Sequence, residues 1–201
     1  MTAQTVADMY ANPLPQLCLD IHASNVVAGW WSADRGSGPS ILATRNRPEM
    51  LMLAVSELSE AADGAMGEMD DKLPHLPMYD VELGDFVIRQ LDQIGAEVSL
   101  GAEMSDMTLP VDYGIGWLRS ASRPERLMGL VGFCARAMEH YRKGRIAEYV
   151  REMAEGVMVT FAIAEIEHID LMDIISQKRA FNATRDDHKV ETRKADGGKA
   201  F

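Results

Sequence analysis

Apolar residues recur every three or four positions along most of this chain, and that spacing restricts it to helices. Runs with the strict alternation of a half-buried strand are nearly absent. The spacing predicts a first helix from Leu14 to Trp31, with Pro13 and Pro15 at its start. A loop follows over residues 32–46, where Arg35-Gly36-Ser37-Gly38-Pro39 cannot hold a helix. Asn46 is placed to cap a second helix running to Met69, with Pro48 and Glu49 in its first turn. After a loop around Pro74 and Pro77, Asp80 is placed to cap a third helix that runs to Glu97. The segment Gly101 to Ser122 is the least regular. Beyond it, helices are expected from Pro124 to Lys143 and from Ile146 to Phe181, separated at Gly144. The fold class is therefore all-α, a bundle of four to five main helices.

The 201 residues are enough for one buried core, and 47% apolar with 25% charged residues is a globular mix. One domain is expected over residues 1–185, followed by a polar tail over 186–201. That tail carries four acids, four bases and little to bury, a composition that reads as disordered. The longest apolar run, Met50 to Val55, falls far short of a membrane span. Met1 to Tyr10 holds Asp8 and no basic cluster, so it does not read as a secretory signal. Cys18 and Cys134 are isolated in apolar surroundings, which suits buried reduced thiols and a cytoplasmic location. The net charge of −11 argues against a nucleic-acid polymer or an anionic membrane as partner. An anionic ligand would need positive charge supplied locally, and a metal ion is a simple source.

Paired carboxylates are the first features able to carry chemistry. Residues three apart on a helix share a face, but with 31 acids chance alone gives roughly five such pairs, and the chain has eight. Most must be solvated. Glu57-Leu58-Ser59-Glu60 stands out because Glu57 interrupts an apolar row of Met50, Ala54 and Ala61. A carboxylate turned toward a core must be paired or bind a cation. Glu82-Leu83-Gly84-Asp85 is more ambiguous, since its row continues to Arg89 and Asp92 and an exposed stripe with an Asp85–Arg89 pair fits equally well. If the second and third helices are antiparallel neighbours, Glu57, Glu60, Glu82 and Asp85 can face one another. Such a cluster repels itself unless cations intervene, and hard oxygen ligands suit Mg²⁺ or Mn²⁺.

Glu57-x-x-Glu60, 21 intervening residues, then Glu82-x-x-Asp85 resembles the metal signature of the all-α NTP pyrophosphohydrolases, the superfamily of MazG-like proteins, dimeric dUTPases and dCTP pyrophosphatases. Ser56 to Ala61, Asp70-Asp71-Lys72-Leu73-Pro74, and Val81 to Asp85 with Ile88-Arg89 and Asp92 resemble MazG-like sequences of bacteria and phages. So do Asn25 with Gly29-Trp30-Trp31, and Lys178-x-x-x-Asn182-x-x-Arg185. Residues 101–145 form a longer stretch than in minimal members. The resemblance implies a helical bundle that oligomerises through its helices into a homodimer or homotetramer. It implies hydrolysis of a nucleoside triphosphate to monophosphate and pyrophosphate, with Mg²⁺ as cofactor and Mn²⁺ as a substitute. Glu57, Glu60, Glu82 and Asp85 would then be metal ligands and catalytic residues. Lys178, Asn182 and Arg185 would bind phosphates, and His22 and Trp31 would hold the base. Tails like this one imply ordering over bound nucleotide.

Other readings compete. Trp30 and Trp31 are equally placed as core or interface aromatics, Trp117 as packing, and methionines such as Met50, Met52, Met153 and Met158 as core filler. Glu165-x-x-His168 has the spacing of a ferritin-like di-iron ligand pair, but that site needs two such motifs and the chain has one. A non-enzymatic helical interaction module would leave the four carboxylates exposed.

Overall fold

A computed structural model describes residues 13–104 and 115–195, and the fold over those residues is all-α. The main helices are α1 (Pro13–Val27), α2 (Arg47–Asp63), α3 (Met78–Ser99), α4 (Ile115–Ser120), α5 (Arg123–Tyr141), α6 (Ile146–Glu167) and α7 (Leu171–Thr184), with a short α8 (Val190–Lys194) at the end. Among the described residues the only β structure is two isolated bridges, Ser32 with Ser40 and Met69 with Pro77. No described helix is long and apolar enough to cross a membrane.

Local chemistry sets the helix ends. The Asn46 side chain accepts the Glu49 N–H at 3.2 Å, and Pro48 sits in the first turn of α2. Ser122 begins α5 by donating its N–H and its hydroxyl to the Glu125 carboxylate, each at 2.7 Å. Asp80 lies inside the first turn of α3 and Pro77 occupies the cap position, one correction to the sequence reading. Another lies near residue 168, where the single helix expected from Ile146 to Phe181 is two. His168 takes a left-handed φ of 59° and ends α6, and Asp170 accepts the Asp173 N–H to start α7. Glu165 and His168 are both exposed, so that pair does not face a bundle interior. The first two helices also end early, at Val27 and Asp63, the second running into a 3₁₀ turn at Gly64–Met66.

Helix α3 is the axis of the molecule, packed by α1, α2, α6 and α7. Val81, Leu83, Phe86, Val87, Leu91 and Ile94 are all fully buried along it, each contributing about 1.5–3 kcal/mol of apolar burial. Gly95 allows α1 to approach closely, because a Cβ there would come within 2.5 Å of the His22 Cβ. Helices α5 and α6 pack on each other across the turn at Gly144, and α5 also meets α2. Cys18 and Cys134 are buried free thiols, as expected. Met153 and Met158 are core residues, but Met52 is 64% exposed, because α2 turns it away from α3. Trp117 is likewise half exposed.

The polar tail corrects the compositional reading. Residues 186–195 form a 3₁₀ turn and α8, and Arg193 within them is 1% exposed.

Candidate functional site

Helices α2 and α3 bring two acidic pairs to one place. Glu57 and Glu82 are buried, and Asp85 is nearly so. One carboxylate oxygen from each of the three lies within 4.8 Å of the others. The exposed-stripe alternative for Glu82 and Asp85 is thereby removed. Glu60 stands one turn from Glu57, half-buried on the wall of the same cavity but outside this triad.

The cluster is balanced by cations and a proton. Arg89 donates to Glu57 across the helix interface instead of pairing with Asp85 on its own helix. Lys178 of α7, itself 1% exposed, lies 2.7 Å from the Asp85 carboxylate. Burial, the hydrogen bond with Glu57 and the charge of Asp85 push the Glu82 carboxyl up to about 9. Burial also raises Asp85, although Lys178 opposes it. Glu82 Oε2 is buried without a hydrogen-bond partner. A buried acidic triad of hard oxygen donors with an unpartnered oxygen fits a divalent cation.

Glu57 and Asp85 of the triad border a cavity of about 280 Å³. The loop between α2 and α3 presents Lys72 to it. Asp70 holds that loop by accepting the Lys72 and Leu73 N–H groups at 2.9 and 2.6 Å. Against the cost of burial, the carboxylates of Glu82, Asp71, Asp85 and Asp70 keep the Lys72 ammonium above its ordinary value. Arg45, Asn182 and Arg185 also line the cavity. Asn182 Oδ1 is buried without a partner. Arg185 is engaged by Asp187 through two hydrogen bonds of 2.8 and 2.6 Å, which occupy two of its donors. Of the basic pair expected at phosphates, Arg185 therefore lines the cavity and Lys178 serves as the Asp85 counter-ion.

His22 and Trp31 do meet, with ring centroids 5.1 Å apart. Both are buried, and both hydrogen-bond the same oxygen, Asp92 Oδ1, at 2.9 Å. They meet through the turn at Gly29, after α1 has ended. Trp31 lies beneath the guanidinium groups of Arg45 and Arg47, while the neighbouring Trp30 is half-buried and lines the cavity. Lys72, Asp92 and Trp30 stand in the motifs that carry the resemblance but have no site role assigned from the sequence, and Arg89 is read there only as a possible partner of Asp85. The signal for them is their place in those motifs, with Asp92 seven residues beyond Asp85 on the same face of α3.

No protein-family profile, curated protein or solved structure matches this chain.

Proposed function

We propose that this protein is a divalent-cation-dependent nucleoside triphosphate pyrophosphohydrolase, converting a (d)NTP to (d)NMP and pyrophosphate. The observation that carries this reading is the convergence of Glu57, Glu82 and Asp85 beside a cavity whose other walls hold Lys72, Arg45 and Arg185. Acids and cations lining one cavity suit a polyphosphate delivered with its metal.

Glu57, Glu82 and Asp85 would hold Mg²⁺, or Mn²⁺ in its place, with Glu60 supporting them from the wall. When bound there, the ion would neutralise phosphate charge and lower the pKa of a water so that it can lose its proton near neutral pH. Lys178 holds Asp85 in place through an ion pair, and Arg89 does the same for Glu57. Lys72 and Arg185 offset the phosphate negative charge, and the Asn182 amide offers polar contact. A carboxylate of the Glu57/Glu60 pair accepts the proton from the attacking water. Exposed Leu19, Val26 and Val27 on α1 offer an apolar face for homodimer or homotetramer assembly in the cytoplasm.

A non-enzymatic reading has one observation in its favour, since Arg89 and Lys178 already offset two of the acids. A panel of nucleoside triphosphates with Mg²⁺ or Mn²⁺, resolved by product chromatography, separates the two. Monophosphate and pyrophosphate from at least one nucleotide are expected. No turnover across the panel would favour the interaction module.

A further inference from the structure

Arg193 is a buried cation in an acidic protein, and it has no carboxylate partner among the described residues. Its guanidinium lies 3.9 Å from the ring centroid of Trp30 and donates to the Ala28 carbonyl, while its Nε is left without a partner. Gly29 and Gly36 form the cradle, both at positive φ. A Cβ at Gly29 would come within 3.1 Å of the guanidinium, and one at Gly36 within 2.8 Å. Arg35 secures the segment from outside by donating to the Arg193 and Ala195 carbonyls at 2.8 and 3.1 Å.

An apolar side chain would hold a tail against this loop without the desolvation cost of a guanidinium. What Arg193 supplies that an apolar residue cannot is a flat cation fixed against one face of an indole. The rings of Trp30 and His188 also stand nearly perpendicular, with centroids 5.2 Å apart. Trp30 lines both the triad cavity and a second cavity of about 670 Å³ between α1, α7 and the tail. The two cavities share Asn25, Trp30, Ile88, Asn182, Arg185 and His188, so they adjoin. Trp30 stands at their junction, with Glu57 and Asp85 on the first cavity and Arg179, a half-buried arginine with no partner among the described residues, on the second.

We infer that residues 186–195 are a built part of the ligand site. Arg193 is a positioning residue: it holds Trp30 as the aromatic wall against which the planar ring of a nucleotide rests. This inference rests on the proposed nucleotide chemistry. It assigns the ring contact to Trp30, while His22 and Trp31 remain buried on Asp92.

The test uses the full chain and calorimetric titration with Mg²⁺. The probes are the α,β-methylene analogues of ATP, GTP, CTP and UTP, with inorganic tripolyphosphate as a ligand that has no ring. Arg193→Ala should weaken the tightest-binding analogue about tenfold, while tripolyphosphate changes by less than about twofold. Arg193→Lys, which retains a cation over the ring, should recover most of that loss. Trp30→Leu should reproduce the selective loss, and it decides the matter if thermal melting shows Arg193→Ala unfolded. Equal weakening of both probe types, or unchanged nucleotide affinity in folded Arg193→Ala or in Trp30→Leu, overturns the inference alone. A wild-type chain that binds neither probe overturns the nucleotide reading and this inference with it.

Discussion

Lys178 and Asp85 form an ion pair of 2.7 Å between α7 and α3, with the lysine side chain 1% exposed. The pair ties α7 to the acidic triad, adding to the apolar packing of α7 along α3. Lys178→Met leaves Asp85 without its nearest cation in a largely buried position. Stability should fall by about 3 kcal/mol in chemical denaturation. The double variant Lys178→Met with Asp85→Asn should regain much of the loss, because the uncompensated charge is gone. A single variant as stable as wild type would mean that the pair contributes nothing to the fold.

Glu82 makes the metal-free protein sensitive to pH. Its carboxyl is raised in the folded state from an ordinary 4.5 to about 9, so the folded chain binds more protons than the unfolded chain between those values. Stability therefore falls as pH rises from about 5 to about 9 and levels off above that. Glu82→Gln should remove this slope and stabilise the protein at the alkaline end, at the expense of the proposed metal site. Denaturation midpoints of both proteins across that range, in the presence of a chelator, check it. Parallel slopes would place the shared proton elsewhere.

The four carboxylates should not be equivalent. Glu57→Gln, Glu82→Gln and Asp85→Asn each remove a member of the triad without removing volume, and each should abolish Mg²⁺-dependent turnover with the helical content retained. Glu60→Gln changes a group outside the triad and should reduce turnover about 10- to 100-fold, the range for groups that support a ligand. Steady-state pyrophosphate release with circular dichroism on the same samples measures both effects. Full turnover in the Glu57 and Asp85 variants would end the assignment.

Asp92 is the hub for His22 and Trp31. Asp92→Ala strands two buried donors and should destabilise the fold by about 2 kcal/mol. The near-ultraviolet circular dichroism band of the indoles should weaken as Trp31 loses its anchor. An unchanged spectrum and stability would show that the contact is incidental.

The parts of the site that depend on local spacing are legible in the sequence. Asn46 and Pro48 mark the start of α2, and Glu57 stands out in an apolar row, because each signal lies within a turn or two of one helix. The left-handed residue at His168 is not legible, because helical periodicity continues across it and nothing in a histidine demands positive φ. The partners of Arg89 and Lys178 come from other helices, which spacing along one helix cannot show. The neighbouring roles of Trp30 and Trp31 are hidden for a related reason. Helix α1 ends at Val27, and beyond it the turn at Gly29 sends one indole to Asp92 and the other to the cavity wall. Composition misreads the tail because Arg193, polar by type, is buried against two glycines and a tryptophan.

The central claim is that the carboxylate triad supports cleavage of a nucleoside triphosphate to monophosphate and pyrophosphate. The most direct test is a Mg²⁺ reaction run in ¹⁸O-labelled water, with products resolved by chromatography and mass spectrometry. Monophosphate and pyrophosphate should appear together, with no diphosphate preceding them, and the label should enter the monophosphate through attack at the α-phosphorus. Label in pyrophosphate would move the attack to the β-phosphorus. Nucleoside diphosphate with labelled orthophosphate, or the same products at the same rate from Glu57→Gln, would contradict the account.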